Sequence, residues 1–412
     1  MVNPDPRRGP DRRQFLGAFA VGSMAGIAWP DGIVAATAPA DEYLFKPGLL
    51  YFNTGSIGPC TRKVIDATIR AWYELESEPL SMTYNKENST LARAEAVRQK
   101  AATLLGCTVD EIAITRSTTE GINAIAQSLD LRAGQRVLTT DQEHEGGSMA
   151  WEYLAKHRGV IIDQVKIAPT DYDTAALLRR FDDAITADTV VISVSHILSS
   201  TGLRMPIAEI SAVAKKRGVL CVVDGAQAAG AVDVDVRALG CDAYATSGHK
   251  WLMAPKGTGI LYIAHAASER IKPMQLFKGR EFYNHPTGVG NIPGAIGMGV
   301  AIDTMLERGM RNVEQYNLGL RNRLYDALKQ KRYCTMVSAP PGPLATPLLT
   351  LMLPTAVKAP ALRKTLQEKH GAVTKGVPAR WLNGVRVSTH VFNTEQQLDA
   401  LVRALDTELA HG

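Results

Sequence analysis

From about residue 89 to residue 224, short apolar runs alternate with helical stretches, and this rhythm narrows the fold more than any other feature of the 412-residue chain. The runs 111–115, 136–139, 160–166, 189–194 and 219–224 have the length and β-branched content of strands. Between them the sequence predicts helices over 89–105, 147–157 and 206–217. The first carries its own start and stop signals, Ser89 as a cap and Gly106 after the last turn. The run 219–224 is apolar until its final residue, as a strand buried on both faces must be. Strands alternating with helices give a mostly parallel, seven-stranded-type sheet sandwiched by helices. After about residue 300 the pattern changes. Helices over 301–308 and 312–331, a strand at 348–353, a helix at 362–370, a strand at 384–388 and a last helix from Glu395 describe a smaller α+β unit. The expected layout is therefore a large α/β domain over 41–300 and a C-terminal domain over 301–412. The first residues of the large domain are expected to pack on the small one.

A hydrophobic share of 45% and a charged share of 21% suit a soluble α/β protein of this length. Net charge is +5 with no basic cluster interleaved with aromatics, which argues against nucleic acid as a partner. The five cysteines (60, 107, 221, 241 and 334) show no CxxC spacing, and the nine histidines no HExxH, so no metal site is expected. Residues 1–40 read as a leader. Arg12-Arg13-Gln14-Phe15-Leu16 precedes an apolar stretch over 17–29 and then an Ala-rich end. Paired arginines, a short apolar core and an A-x-A-like close describe an export signal read by the twin-arginine machinery. The apolar core is too short and too rich in Gly and Ala for a membrane span. The expected location is periplasmic or otherwise exported, with cleavage after Ala36 or Ala40.

The strand 219–224 delivers Asp224 to its C-terminal end, where open α/β sheets bind ligands. A second short strand, 241–246, leads into Ser247-Gly248-His249-Lys250. A buried acid and a lysine on neighbouring strand ends meet the needs of pyridoxal 5'-phosphate (PLP). The lysine forms the Schiff base, and the acid keeps the pyridine nitrogen protonated so that the ring accepts electrons. Ser117-Thr118-Thr119-Glu120 follows a strand and opens a helix, a setting that binds a phosphate and equally suits a plain helix cap. His144, after the strand 136–139, either lies on the cofactor ring or makes a single loop hydrogen bond. Gln227 stands three residues after Asp224 and either meets the cofactor's phenolate oxygen or caps a helix. Ser247 and His249 flank the lysine and can donate to a phosphate, or serve an ordinary turn. Arg386, in the run 383–388, offers a fork for a substrate carboxylate, or is an edge-strand surface residue.

From about Tyr51 to Leu405 the chain resembles the fold-type I PLP enzymes of the class V aminotransferase group, which also holds cysteine desulfurases and isopenicillin N epimerase. The resemblance rests on Asn53-Thr-Gly-Ser-Ile-Gly-Pro59, Ser117-Thr-Thr-Glu120, Glu143-His144, Ser195-His196 with Thr201-Gly202, Asp224-Gly-Ala-Gln227, Ser247-Gly-His-Lys250, Asn291-Ile-Pro-Gly-Ala295 and Val385-Arg-Val-Ser388. It implies Lys250 as the imine lysine, Asp224 on the pyridine nitrogen and His144 stacked on the ring. It further implies Gln227 near the phenolate oxygen, Ser199 among the cofactor contacts, and Thr118, Thr119, Ser247 and His249 around the phosphate. Arg386 and Asn53 fall to the substrate, an amino acid or a peptide-like molecule. A homodimer with its site at the interface is also implied.

Two departures from desulfurases stand out. Residues 371–385 contain no cysteine, which argues against a persulfide mechanism, and Ser199-Ser200 stand where desulfurases place an Asn. Val289 aligns with a threonine that the second subunit usually contributes, with Thr287 nearby. Phe392-Asn393-Thr394-Glu395 looks epimerase-like. The expectation is an exported enzyme acting at the α-carbon, aminotransferase-like, with Tyr84 and Tyr283 as donors should it epimerise instead. Loops 77–87 and 278–285 are expected to select the substrate. A β-lyase remains a further option on this scaffold. A binding protein without catalysis is the alternative that intact Lys250 and Asp224 oppose.

Overall fold

The computed structural model describes residues 40–82, 87–273, 275–277, 280–282 and 290–409. Residues 1–39 of the expected signal, together with Tyr84, Tyr283, Thr287 and Val289, lie outside the described residues. Seven strands form the central sheet. They are β1 (Ile112–Thr115), β2 (Arg136–Thr140), β3 (Ile161–Val165), β4 (Thr189–Ser195), β5 (Leu220–Asp224), β6 (Ala243–Ser247) and β7 (Gly259–Ile263). Their order is β1-β7-β6-β5-β4-β2-β3. Strands β2 to β6 pair in parallel, and β7 runs antiparallel to both of its neighbours. β7 adds to the strands expected from sequence; it follows the turn at Pro255–Gly257, which obscures its start.

β5 shows how the sequence produces this sheet. Leu220 and Val222 join one core with Trp151 and Leu154, while Cys221 and Val223 join a second core with Phe181 and Ile210. Alternate residues thus enter opposite layers of helices, and a strand covered on both sides has no place for a polar residue before its end. Each such side chain contributes roughly 1.5–3 kcal/mol on burial. Trp151 is also pinned by its indole N–H, which donates to Ser193 Oγ at 2.9 Å.

A second sheet is antiparallel. Strands β8 (Thr335–Met336), β9 (Leu348–Met352), β10 (Lys375–Gly376) and β11 (Gly384–Ser388) are ordered β8-β9-β11-β10. Leu349, Leu351, Val385 and Val387 pack on Leu320 and Leu324 of the helix Met310–Leu328, and on Leu398 and Leu401 of the helix Glu395–Leu409. Phe52 is fully buried in this same core, and Leu50–Tyr51 pairs in parallel with Ala372–Val373. Residues 50–52 are therefore built into the second sheet's layer, while Tyr43 joins the large core.

The expected boundary at 300/301 needs correction, because it falls inside one helix, Ile292–Arg308. Asn291 caps that helix and Pro293 occupies its first turn. Met298, Ile302 and Met305 place both halves of it in the large core. Gly294, Gly297 and Gly299 dilute the apolar periodicity of the first half, so the sequence shows only the second.

Candidate active site

Thr140, Ser195, Asp224 and Ser247 end β2, β4, β5 and β6 respectively, so all four emerge at one edge of the parallel sheet. A cavity of about 400 Å³ opens there. It is lined by Asp224, Lys250, His144, Thr118, Thr119, Gln227, Ser247, His249, Ser199 and Arg386, all expected from the sequence. Asn53 is the exception. Its carbonyl accepts the amides of Ser56 (2.9 Å) and Ile57 (3.2 Å), closing a turn that sends Gly55 and Ser56 to the cavity in its place.

Lys250 is fixed through its backbone. Gly248 N–H donates to Thr258 at 2.8 Å, and Ala254 N–H returns to Gly248 at 2.9 Å. Met253 closes the turn by donating to the Lys250 carbonyl at 3.1 Å, with a left-handed φ of 55°. That conformation costs a non-glycine residue about 1–2 kcal/mol, and the enclosing hydrogen bonds hold it. Gly58 seals the turn from the other side. Its N–H donates to the His249 carbonyl at 2.7 Å, and a Cβ there would stand 1.9 Å from the Lys250 carbonyl oxygen, so only glycine fits. Burial pushes the Lys250 ammonium down to about 8, with Asp224 opposing and the charges of Arg386 and Lys375 adding to the fall.

Asp224 is buried, and its Oδ1 accepts the Ala226 amide at 2.9 Å. Burial raises its carboxyl above the ordinary value, while Lys250, the Ala226 amide and His144 pull it back. Gly147 of the helix Glu145–Arg158 lies so close that a Cβ would approach Oδ2 to 2.8 Å. His144 caps that helix, its Nδ1 accepting the Gly146 amide at 3.0 Å. An accepting Nδ1 leaves the proton on Nε2. Burial and the Lys250 charge lower its pKa, so the ring is neutral near pH 7.

Sequence reasoning gave Glu143 no role beyond its place before His144. Its Oε2 accepts from Ser195 Oγ at 2.5 Å and its Oε1 from Thr140 Oγ1 at 2.7 Å. Burial raises it to about 7, and neighbouring Asp224 adds to the rise. Two adjacent carboxyls share one negative charge more readily than two. A protonated Glu143 leaves that charge to Asp224.

The opposite wall suits an anion. Ser117 caps the helix Thr118–Ser128, and Thr118 Oγ1 stands 2.8 Å from Ser247 Oγ, which also accepts the Thr118 amide at 2.9 Å. His249 Nδ1 is buried with no hydrogen-bond partner among the described residues. A buried polar atom without a partner is costly unless a ligand supplies one, and a phosphate at this helix N-terminus would. Gln227 is partly spent within the protein. Its Nε2 donates to the Gly55 carbonyl at 2.8 Å and its Oε1 accepts from Trp251 at 2.8 Å, which leaves one amide hydrogen for a ligand.

Arg386 is 5% exposed on β11. Its Nη1 donates to the Ser199 carbonyl at 2.7 Å and its Nη2 to Ser56 Oγ at 3.3 Å, while Nε has no partner among the described residues. Ser199 thus acts through its carbonyl, by aiming the guanidinium. Burial lowers Arg386 to about 10, which leaves it charged at neutral pH. Lys375, Val377 and Trp381 also line the cavity, from a segment in which the sequence showed no motif.

The pattern of the class V aminotransferases matches residues 51–401. The chain belongs to that family. Isopenicillin N epimerase of Streptomyces clavuligerus is 28% identical over 389 residues, which is 88% of this chain and 96% of that protein. A cysteine desulfurase of Yersinia pestis bv. Antiqua (strain Angola) is 31% identical over 307 residues, covering 70% of this chain and 74% of its own length. Among solved structures, a lysine-to-alanine mutant of C-DES with glycine covalently linked to the PLP cofactor superposes with a TM-score of 0.81. It is 23% identical and covers 90% of this chain and 100% of that one. The fold is that of the fold type I PLP-dependent enzymes, and PLP is the cofactor of the family.

Proposed function

We propose that this protein is an exported PLP-dependent enzyme that moves the α-proton of an amino acid or of an amino-acid residue in a secreted metabolite, with transamination as the favoured outcome. The carrying observation is the meeting of Lys250, Asp224 and Arg386, whose Nε has no partner among the described residues, in one cavity at the strand ends. The residues suit the cofactor: an anion cradle with an orphaned His249 nitrogen, a buried acid, a lysine that burial lowers to about 8 so that part of it is neutral there, and a neutral imidazole. Thr118, Thr119, Ser247 and His249 would hold the phosphate, Asp224 the pyridine nitrogen, and Gln227 the phenolate oxygen. When bound, PLP supplies an aldehyde for amines and a ring that stores the electron pair left at the α-carbon.

The chain supplies the rest. Arg386 Nε and Nη2 bind the substrate carboxylate side-on, and Ser199 and Ser56 keep the fork from turning away. Lys250 Nζ, neutral in a useful fraction near pH 8, takes the α-proton. The same nitrogen can return it elsewhere, so transamination needs no second acid. Asp224 holds its charge against burial through Lys250, the Ala226 amide and His144.

Epimerisation is the second reading, favoured by the isopenicillin N epimerase relative that spans nearly the whole chain. It requires a proton donor on the opposite face. The absence of a cysteine in the cavity wall speaks against sulfur transfer, since none of Cys60, Cys107, Cys221, Cys241 and Cys334 lines it. Incubating the purified protein with amino acids in deuterated water separates the two readings. Transamination converts the cofactor to its pyridoxamine form, whereas epimerisation places deuterium at the α-carbon and leaves the cofactor unchanged. Neither result, across a panel of amino acids, removes both.

A further inference from the structure

Lys375 and Arg386 are direct register partners on the antiparallel strands β10 and β11. Residues opposite each other in such a pair project from the same face, their Cβ atoms about 4.5–5.5 Å apart. Here both side chains line the active-site cavity. Like charges in this arrangement work against the sheet. Burial lowers Lys375 first, and then the charges of Arg386 and Arg363. No carboxylate among the described residues forms an ion pair with either of them, and no acid stands among the groups acting on Lys375. A sheet keeps such an unfavourable pair where a ligand relieves it.

The other cation of this wall is already neutralised. Arg380 pairs with Glu145 at 2.5 Å and stacks on the Trp381 ring at 4.6 Å. Trp381 in turn donates to the Asp141 carbonyl at 3.1 Å, which ties the segment to the large domain. Arg363 is engaged with the Thr374 carbonyl at 3.0 Å. Among the described residues of this wall, Lys375 is thus a cation without an ion-pair partner, and its side chain is exposed while Arg386 is buried. Val377 and Trp381 supply an apolar surface beside them.

We propose that Lys375 receives a second, distal carboxylate, so that the substrate is a dianionic amino compound. Its α-carboxylate sits on Arg386, a short apolar linker runs along Val377 and Trp381, and the far acid group reaches Lys375. This rests on the reading of the protein as an amino-acid enzyme. Two sources present that chemistry, an α-amino dicarboxylic acid and a short peptide with a free C-terminal carboxylate.

The test is a titration of the cofactor-loaded enzyme with alanine, aspartate, glutamate, 2-aminoadipate and γ-glutamyl dipeptides, reading dissociation constants from the cofactor's absorbance. One or more of the dianions binds more tightly than alanine, by roughly three- to tenfold. Lys375→Met removes that advantage, with the dianions losing more affinity than alanine does, and Lys375→Arg restores it. The member of the series with the largest advantage, free acid or peptide, identifies the source. An equal loss for alanine and dianions, or a wild-type enzyme that does not prefer any dianion, overturns the proposal while leaving the amino-acid reading intact. A bound cofactor that responds to none of these compounds overturns that reading, and this one with it.

Discussion

Asp224 and Lys250 carry opposite charges where burial disfavours both. Burial raises the acid and lowers the amine, and each opposes the shift of the other. An amine near 8 is protonated loosely enough to act as a base at neutral pH. Lys250→Ala is therefore expected to lose the lysine-linked cofactor band and to lower turnover by about 10²-fold or more. Persistence of that band would contradict the assignment. Glu143 gives a separate expectation. Its folded value near 7 exceeds the ordinary 4.5, so the folded protein holds this proton more tightly than the unfolded chain does. The resulting stabilisation is complete below about 4.5 and is lost as pH rises through 7. Melting curves of the cofactor-free protein should show that decline, and Glu143→Gln should flatten it; an unchanged slope in the variant refutes the protonated Glu143.

The strands and their ends explain why much of the site could be read from sequence. A strand apolar until its last residue announces where its acid emerges, and Asp224 was legible for that reason, while Ser247 was legible by its place beside Lys250. The N-terminal residues of the helix Thr118–Ser128 were legible through their hydroxyl run. Lys375 and Trp381 were not. β10 is two residues long and lies between Gly371 and Pro378, so no period marks which side chains face inward. Asn53 lies off the cavity wall because its turn presents the next residues, Gly55 and Ser56, to the cavity. Close approach between elements is equally invisible in one dimension. The helix Glu145–Arg158 meets β5 at Gly147, and Gly147→Ala should push Asp224 aside. We expect that variant to stay folded while cofactor affinity falls by about tenfold, near the ~1.4 kcal/mol that a tenfold change represents. Equilibrium dialysis that returns an unchanged affinity would show that Asp224 tolerates the methyl group.

Taken whole, the molecule has surface to spare that its own fold does not explain. Ile69, Trp72 and Tyr73 share one face of the helix Arg62–Ser77 and are 47%, 47% and 74% exposed, with Leu80 beyond them at 83%. Residues spaced three and four apart form a contiguous stripe, and exposed apolar stripes of this kind mark interfaces. A homodimer is the proposal that uses it. Sedimentation should report a dimer, and Trp72→Glu with Tyr73→Glu should yield a folded monomer; a monomeric wild type would remove the proposal. The proposal of export rests on Arg12 and Arg13 with the apolar stretch and the Ala-rich end that follow them. Replacing both arginines with lysine should retain in the cytoplasm a protein that otherwise reaches the periplasm, and equal distribution of the two forms would discard the signal.

The most direct check is borohydride reduction of the cofactor-loaded protein followed by peptide mapping. The arrangement of Asp224, His144, the Thr118–Ser247 cradle and the turn behind Gly58 predicts one pyridoxyl adduct, on the peptide that carries Lys250. An adduct on any other lysine, or none on protein that has bound the cofactor, would contradict it.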